Sequence, residues 1–202
     1  FSYKSVSDLA KETCRNWFYK IASVKELLPR VFVEVAIVKC YMFIEPEKRF
    51  PRILQRLATT LRGIGDPLVG CFARAYLARK GRELVRAEKG YVGTMVEDTM
   101  FTLKVQVPTA TFKESVVRKG CSMVEYYNLW SPALDYMFHC LGFRADSSTY
   151  DSIWQLFNNV DGEQSSIVLN FVLRNFPAST FMANALQLTQ MLKETDKISY
   201  PR

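Results

Sequence analysis

The sequence predicts an all-α protein, and among all-α architectures a HEAT-like α-solenoid of about ten antiparallel helices. Three observations lead there. Apolar residues recur at the helical period almost throughout the 202 residues. Gly, Pro and Asp stand at the joints between these runs, and no two alternating runs are joined by a hairpin turn. Helices joined by short turns pack antiparallel, and the pairs recur roughly every 35–45 residues, as HEAT-like repeats do. The pairs share no residue-level consensus, so a compact α-bundle is the alternative arrangement of the same elements. The chain opens on Phe1 without an initiator Met, and is expected to be a single solenoid segment over residues 1–202, a fragment of a longer scaffold chain.

Val6, Leu9, Ala10, Cys14, Trp17, Phe18 and Ile21 line one face of a first helix, with Ser5 or Ser7 as its cap. Pro29 punctuates, and Arg30–Phe43 reads as a second, nearly all-apolar helix. Its run Val31–Val38 has the composition of a buried strand, but the segment is too long for one. A third helix carries Phe50, Ile53, Leu54, Leu57, Ala58 and Leu61 on one side, and stops at Gly63-Ile64-Gly65. Asp66-Pro67 restarts the chain: Asp accepts free N–H groups, and Pro at the first position lacks only an N–H that had no partner. The next helix uses Leu68, Phe72, Ala75, Tyr76 and Leu77, with breaks at Gly81 and Gly90. Met95, Val96, Met100 and Leu103 follow, then a break at Pro108. A helix begun by Phe112, Val116 and Val117 is expected to run past Met123 towards Tyr127, with Pro132–Leu141 next. Ile153, Leu156, Phe157 and Val160 come after it, then Ile167, Phe171, Val172 and Phe176. Phe181, Met182, Ala185, Leu188, Met191 and Leu192 close the series.

Chemistry-bearing motifs do not emerge. The single histidine, His139, has no Cys or acid at ligand spacing, and adjacent Cys140 points about 100° away on a helix. Gly63-x-Gly65 lacks the third glycine and the preceding strand of a dinucleotide loop. Walker A, G-x-S-x-G and H-E-x-x-H are absent, and Glu97-Asp98 diverge on a helix. The expectation is no enzyme, no metal and no cofactor. Five cysteines without a C-x-x-C, placed among apolar residues, fit a reducing compartment. With no signal peptide and no run of about 18 apolar residues, the expectation is a soluble, cytoplasmic protein.

The net charge of +7 is concentrated. Lys48–Lys89 holds eleven basic against three acidic residues, while Phe1–Glu47 nets +1 and Gly90–Arg202 nets −2. Arg49, Arg52 and Arg56 form a stripe on the third helix, and Arg79, Arg82 and Arg86 repeat that spacing on the next. Lys48, Arg62, Arg74, Lys80 and Lys89 extend the patch. It reads equally as solvated helix faces and as a surface for acidic protein, phosphoinositide headgroups or other anionic membrane. Nucleic acid is disfavoured, because Phe50, Phe72 and Tyr76 fall on the apolar stripe and are not free to stack on bases.

Lys11-Glu-Thr-Cys-Arg-Asn-Trp-Phe-Tyr-Lys-Ile-Ala-Ser23 and Glu26-Leu-Leu-Pro29-Arg30-Val-Phe-Val-Glu34 are long and unusual strings. With Leu61-Arg-Gly-Ile-Gly-Asp-Pro-Leu-Val69 and Ala73-Arg-Ala-Tyr-Leu77, they resemble the large α-solenoid subunit of the retriever complex. That subunit is the paralogue of the retromer scaffold within the Commander assembly. The resemblance is dense over residues 11–81 and thins beyond. It implies a non-catalytic scaffold at the endosome membrane that recycles membrane-protein cargo. The implied partners are an arrestin-like subunit, coiled-coil Commander subunits, and a small metallophosphoesterase-like subunit bound through a region outside this fragment. The retromer relative docks its arrestin-like subunit through a Pro-Arg-Leu-Tyr-Leu helix motif. The matching residues here are Pro29, Arg30, Val31, Phe32 and Val33, with Leu, Tyr and Leu replaced. Arg30 is the residue carried over, and Glu34, one turn on, is its expected ion-pair partner.

Overall fold

A computed structural model describes residues 3–145 and 163–182 continuously, with 149, 151, 153–155, 185, 186, 188–190, 192 and 193 beside them; burial is described from residue 8. All regular structure among these residues is helical, as the periodicity requires. No described helix is long and apolar enough to cross a membrane. The chain divides into two compact units, Phe1–Met95 and Val96–Arg202.

The first unit begins with α1 (Tyr3–Ala22). This helix is already formed at Ser5 and Ser7, so neither serine caps it. Only part of its apolar stripe is covered. Cys14 and Ile21 are buried, whereas Leu9 and Trp17 face out, the latter with the Lys20 ammonium over its ring at 5.6 Å. The expected second helix is broken. α2 (Leu27–Ala36) includes Pro29 in its first turn, a 3₁₀ turn follows over Val38–Cys40, and α3 (Tyr41–Ile44) is a single turn. The Val31–Val38 run is therefore no strand: Val31, Val35 and Val38 are buried on one side at helical spacing. Phe18 of α1 stacks on Tyr41 of α3 with ring centroids 4.1 Å apart.

α4 (Phe50–Thr60) follows expectation, burying Phe50, Leu54, Leu57 and Ala58, with Leu61 buried in the 3₁₀ turn that ends it. At the start of α5 (Pro67–Leu84), the Asp66 carboxylate accepts from the Val69 N–H at 3.0 Å. The face of α5 is rotated from the one expected. Gly70, Cys71, Ala73, Arg74, Leu77, Ala78 and Gly81 are buried, while Phe72 is exposed and Leu68, Ala75 and Tyr76 are half-buried. Small residues let neighbouring backbones approach, so the close-packed face is the one of small side chains. Gly81 therefore does not end α5. A Cβ there would overlap the Tyr91 ring and hydroxyl, and Tyr91 is 1% exposed. Three contacts set α2 parallel to α5: Leu27 against Gly63, Phe32 stacked on Tyr76 at 5.5 Å, and Lys39 paired with Glu83 at 2.9 Å.

α6 (Gly90–Val105) buries Met95, Val96, Met100 and Leu103 as its spacing predicts. In the second unit, the helix expected from Phe112 towards Tyr127 is two elements. α7 (Ala110–Arg118) ends at Gly120, whose φ of 76° is left-handed. Ser122 and Glu125 then form a reciprocal capping box that starts α8 (Met123–Gly142). Pro132 lies inside α8 without ending it, because its ring is on the exposed side where water can serve the carbonyl left without a donor. α9 (Glu163–Asn175) packs on α8 through Phe138 and Phe171, stacked at 6.0 Å. The Asn175 amide donates to Asp135 at 3.0 Å. Ile153 is buried, but the expected apolar positions Leu156, Phe157, Val160 and Met191 lie outside the described residues. α10 (Ala178–Met182) leaves Met182 exposed.

Candidate functional site

Four helices of the first unit leave a cleft of about 600 Å³ between them. Each contributes residues spaced along one flank. α1 supplies Arg15, Phe18, Tyr19 and Ala22; α2 supplies Arg30 and Glu34. Tyr41 and Ile44 come from α3, with Glu45 just after it, and Arg56 and Thr60 come from α4. In an α-helix residues four apart lie one above the other, which is why Arg15/Tyr19, Arg30/Glu34 and Arg56/Thr60 each form a wall.

The expected Arg30–Glu34 pair does not form. Glu34 points across the cleft, where the Arg56 guanidinium donates to its Oε1 and the Tyr41 hydroxyl donates to the same oxygen at 2.9 Å. Arg56 also donates to the Tyr41 oxygen at 3.0 Å, closing a three-residue ring that ties α2, α3 and α4. Burial, and then the neighbouring Glu34 carboxylate, push the Tyr41 phenol well above its ordinary range. Glu34 is taken because the cross-helix partners approach it from the side it faces, whereas an α2 neighbour competes along the helix surface for a weaker pair.

The motif residues separate. Arg30 lines the cleft, half-buried, in the first turn and a half of α2, and Pro29 is exposed beside it. Val31 is 1% exposed and belongs to the core, so it supports α2 and offers no free surface. Phe32 and Val33 are partly exposed, Phe32 with its ring on Tyr76. Arg15, Tyr19, Tyr41 and Thr60 were not singled out from sequence. Their only signal is the flanking position beside an apolar stripe, and any solvated face gives the same signal.

The basic patch is partly neutralised. Arg49 pairs with Glu45 at 2.8 Å and Arg56 with Glu34, while Arg52 is exposed. Arg79 is exposed on α5, Arg82 is half-buried and not free, and Arg86 is exposed beyond the end of that helix. Arg74 is no part of the patch: it is 4% exposed, on the packed face of α5. Phe72 and Tyr76, expected to be hidden from bases, are in fact open and half-open, leaving Phe50 as the buried aromatic of the three. Lys80 and Lys39 both reach Glu83, whose carboxyl they hold below its usual range, Lys39 first.

His139 is exposed at the end of α8. Among the described residues no group of His, Cys, Asp and Glu is placed to hold a metal ion. Cys14, Cys71 and Cys140 are buried, and all five thiols are free. Burial pushes the Cys71 thiol up to about 12.

A family model described as VPS35L matches residues 1–129, a span that contains the whole cleft. A Dictyostelium discoideum protein named "VPS35 endosomal protein sorting factor-like" is 35% identical over 199 residues, 98% of this chain and 20% of its own. A Homo sapiens protein of that name is 35% identical over 202 residues, 100% of this chain and 21% of its own. One from Drosophila melanogaster is 36% identical over 193 residues, 94% of this chain. The chain thus spans about a fifth of the length of these relatives.

Proposed function

This chain belongs to the VPS35L family, and on that premise we propose that it is a segment of a non-catalytic, HEAT-like scaffold that sorts and recycles membrane-protein cargo at the endosome. The named relatives are endosomal protein-sorting factors, which supports the compartment and the process. The retriever resemblance supplies the assembly. An arrestin-like subunit docks on this segment, and coiled-coil Commander subunits and a small metallophosphoesterase-like subunit complete the complex. Membrane association comes through these partners.

The observation that carries the docking role is Arg30. Its guanidinium stands in an open cleft, beside Pro29, with no acid among the described residues satisfying it. A cation held there is free to meet a carboxylate or carbonyl of the partner. In a pull-down of the arrestin-like subunit, Arg30→Ala is expected to weaken capture by at least roughly tenfold. Melting of the same variant should move by an amount equivalent to about 1 kcal/mol or less, since a half-exposed cation contributes little to stability. Normal capture, or unfolding of the variant, would refute the docking role.

The exposed Arg52, Arg79 and Arg86 favour a second, electrostatic reading, direct contact with phosphoinositide headgroups. Salt separates the two: phosphate binding falls steeply with ionic strength, whereas a docked protein surface is far less affected.

A further inference from the structure

The charges around the cleft do not cancel. Arg15, Arg30 and Arg56 face Glu34 and Glu45 across it. Glu34 is held through its Oε1 by Arg56 and Tyr41, and Glu45 is held from outside the lining by Arg49. Arg15 on α1 and Arg30 on α2 therefore stand on adjoining walls, neither with an acid partner among the described residues. The same lining holds Phe18, Ala22 and Ile44, with Tyr19 exposed and Tyr41 stacked on Phe18.

We propose that this cleft binds an acidic peptide segment, one Asp or Glu carboxylate lying between Arg15 and Arg30 and the next apolar side chain lying on Phe18, Ile44 and Tyr19. The occupant is defined by its chemistry, and its source need not be the arrestin-like subunit. Two guanidiniums present forked donors suited to one planar carboxylate. Glu34 and Glu45 in the walls argue for a singly charged group, because a polyphosphate or phosphoinositide headgroup would bring several charges against two fixed carboxylates. The apolar part of the lining, Phe18, Ala22 and Ile44, argues likewise, offering contact to a neighbouring side chain. The Glu34–Tyr41–Arg56 ring holds Glu34 Oε1 on the side of α3 and α4, so that the carboxylate is drawn away from Arg30.

The test uses an array of capped peptides in a Gly/Ser background. Each carries Asp-Leu, Glu-Leu, Asp-Phe or Glu-Phe, and each is matched to its Asn or Gln counterpart. The protein is applied to the array, and the best sequence is titrated by fluorescence anisotropy. The acidic peptide is expected to bind at least tenfold tighter than its amide counterpart. Arg15→Gln and Arg30→Gln should each lower affinity about tenfold, Arg15→Lys less, and Arg52→Gln on the outer face of α4 not at all. Melting curves of every variant separate lost binding from lost folding. The proposal is overturned if amide peptides bind equally well, or if Arg52→Gln matches Arg15→Gln. It is also overturned if acidic peptides do not bind while vesicles carrying phosphatidylinositol bisphosphate do so through Arg15 and Arg30.

Discussion

Replacing Glu34 by Gln preserves shape and removes one charge from the ring joining α2, α3 and α4. The Glu34 side chain is 13% exposed and that of Arg56 is 51% exposed. Half-open, the ion pair is worth about 1 kcal/mol at most. The Tyr41 hydroxyl loses a charge-assisted bond and keeps a neutral one, a further difference of about 0.5–1 kcal/mol. Glu34→Gln should therefore destabilise the protein by ~1–2 kcal/mol, or roughly 3–6 °C in thermal melting. Urea titration gives the first figure and a differential scan the second. A cycle of Glu34→Gln with Arg56→Met isolates the pair, and its coupling should be about 0.5–1 kcal/mol. The same substitution frees Arg56 as a third uncompensated cation in the cleft, so binding of the acidic peptide should tighten. A variant as stable as the parent, or a cycle with no coupling, would refute the account of the ring.

Gly81→Ala drives a methyl into buried Tyr91 and should cost about 1–3 kcal/mol in urea unfolding, with Tyr91→Phe recovering part of the loss. If Gly81→Ala were neutral, the glycine would not be there for close packing. Asp66→Ala removes the bond to the Val69 N–H and should cost about 1 kcal/mol without altering partner capture. Glu83 is bound by Lys39 and Lys80, so its folded pKa lies below the unfolded one. Its contribution is present above the unfolded pKa of about 4.5 and is lost as pH falls through the lower folded value. Glu83→Gln should thus flatten the stability curve in that acid range and leave its slope near neutrality unchanged. Cys71, buried with its thiol at about 12, should resist iodoacetamide at pH 8 until urea unfolds the protein, whereas half-buried Cys121 should react first. Early labelling of Cys71, read by mass spectrometry, would contradict its packing.

Where one side chain's local chemistry is decisive, the sequence alone was sufficient. The helical period, the Asp66-Pro67 start of α5 and the buried face of α4 depend on residues within a turn or two of one another, and all three are found. The family was legible for the same reason, since its strings are local. What neighbours decided was not legible. Periodicity marks large apolar residues, yet α5 packs on its small ones, because close approach of Tyr91 and the adjacent helices rewards Gly and Ala over Phe72. Leu9 and Trp17 repeat at the right spacing but meet no covering helix among the described residues. Pro132 is tolerated because it faces solvent, and Arg74 leaves the basic surface because α5 turns it inward. The cleft itself is the clearest case. Glu34 stands one turn from Arg30, and sequence pairs them; the fold brings Arg56, 22 residues away, and Tyr41 to Glu34 instead. An ion pair goes to the cation whose geometry and desolvation favour it, and only tertiary packing sets those, which leaves Arg30 and Arg15 without an acid partner among the described residues.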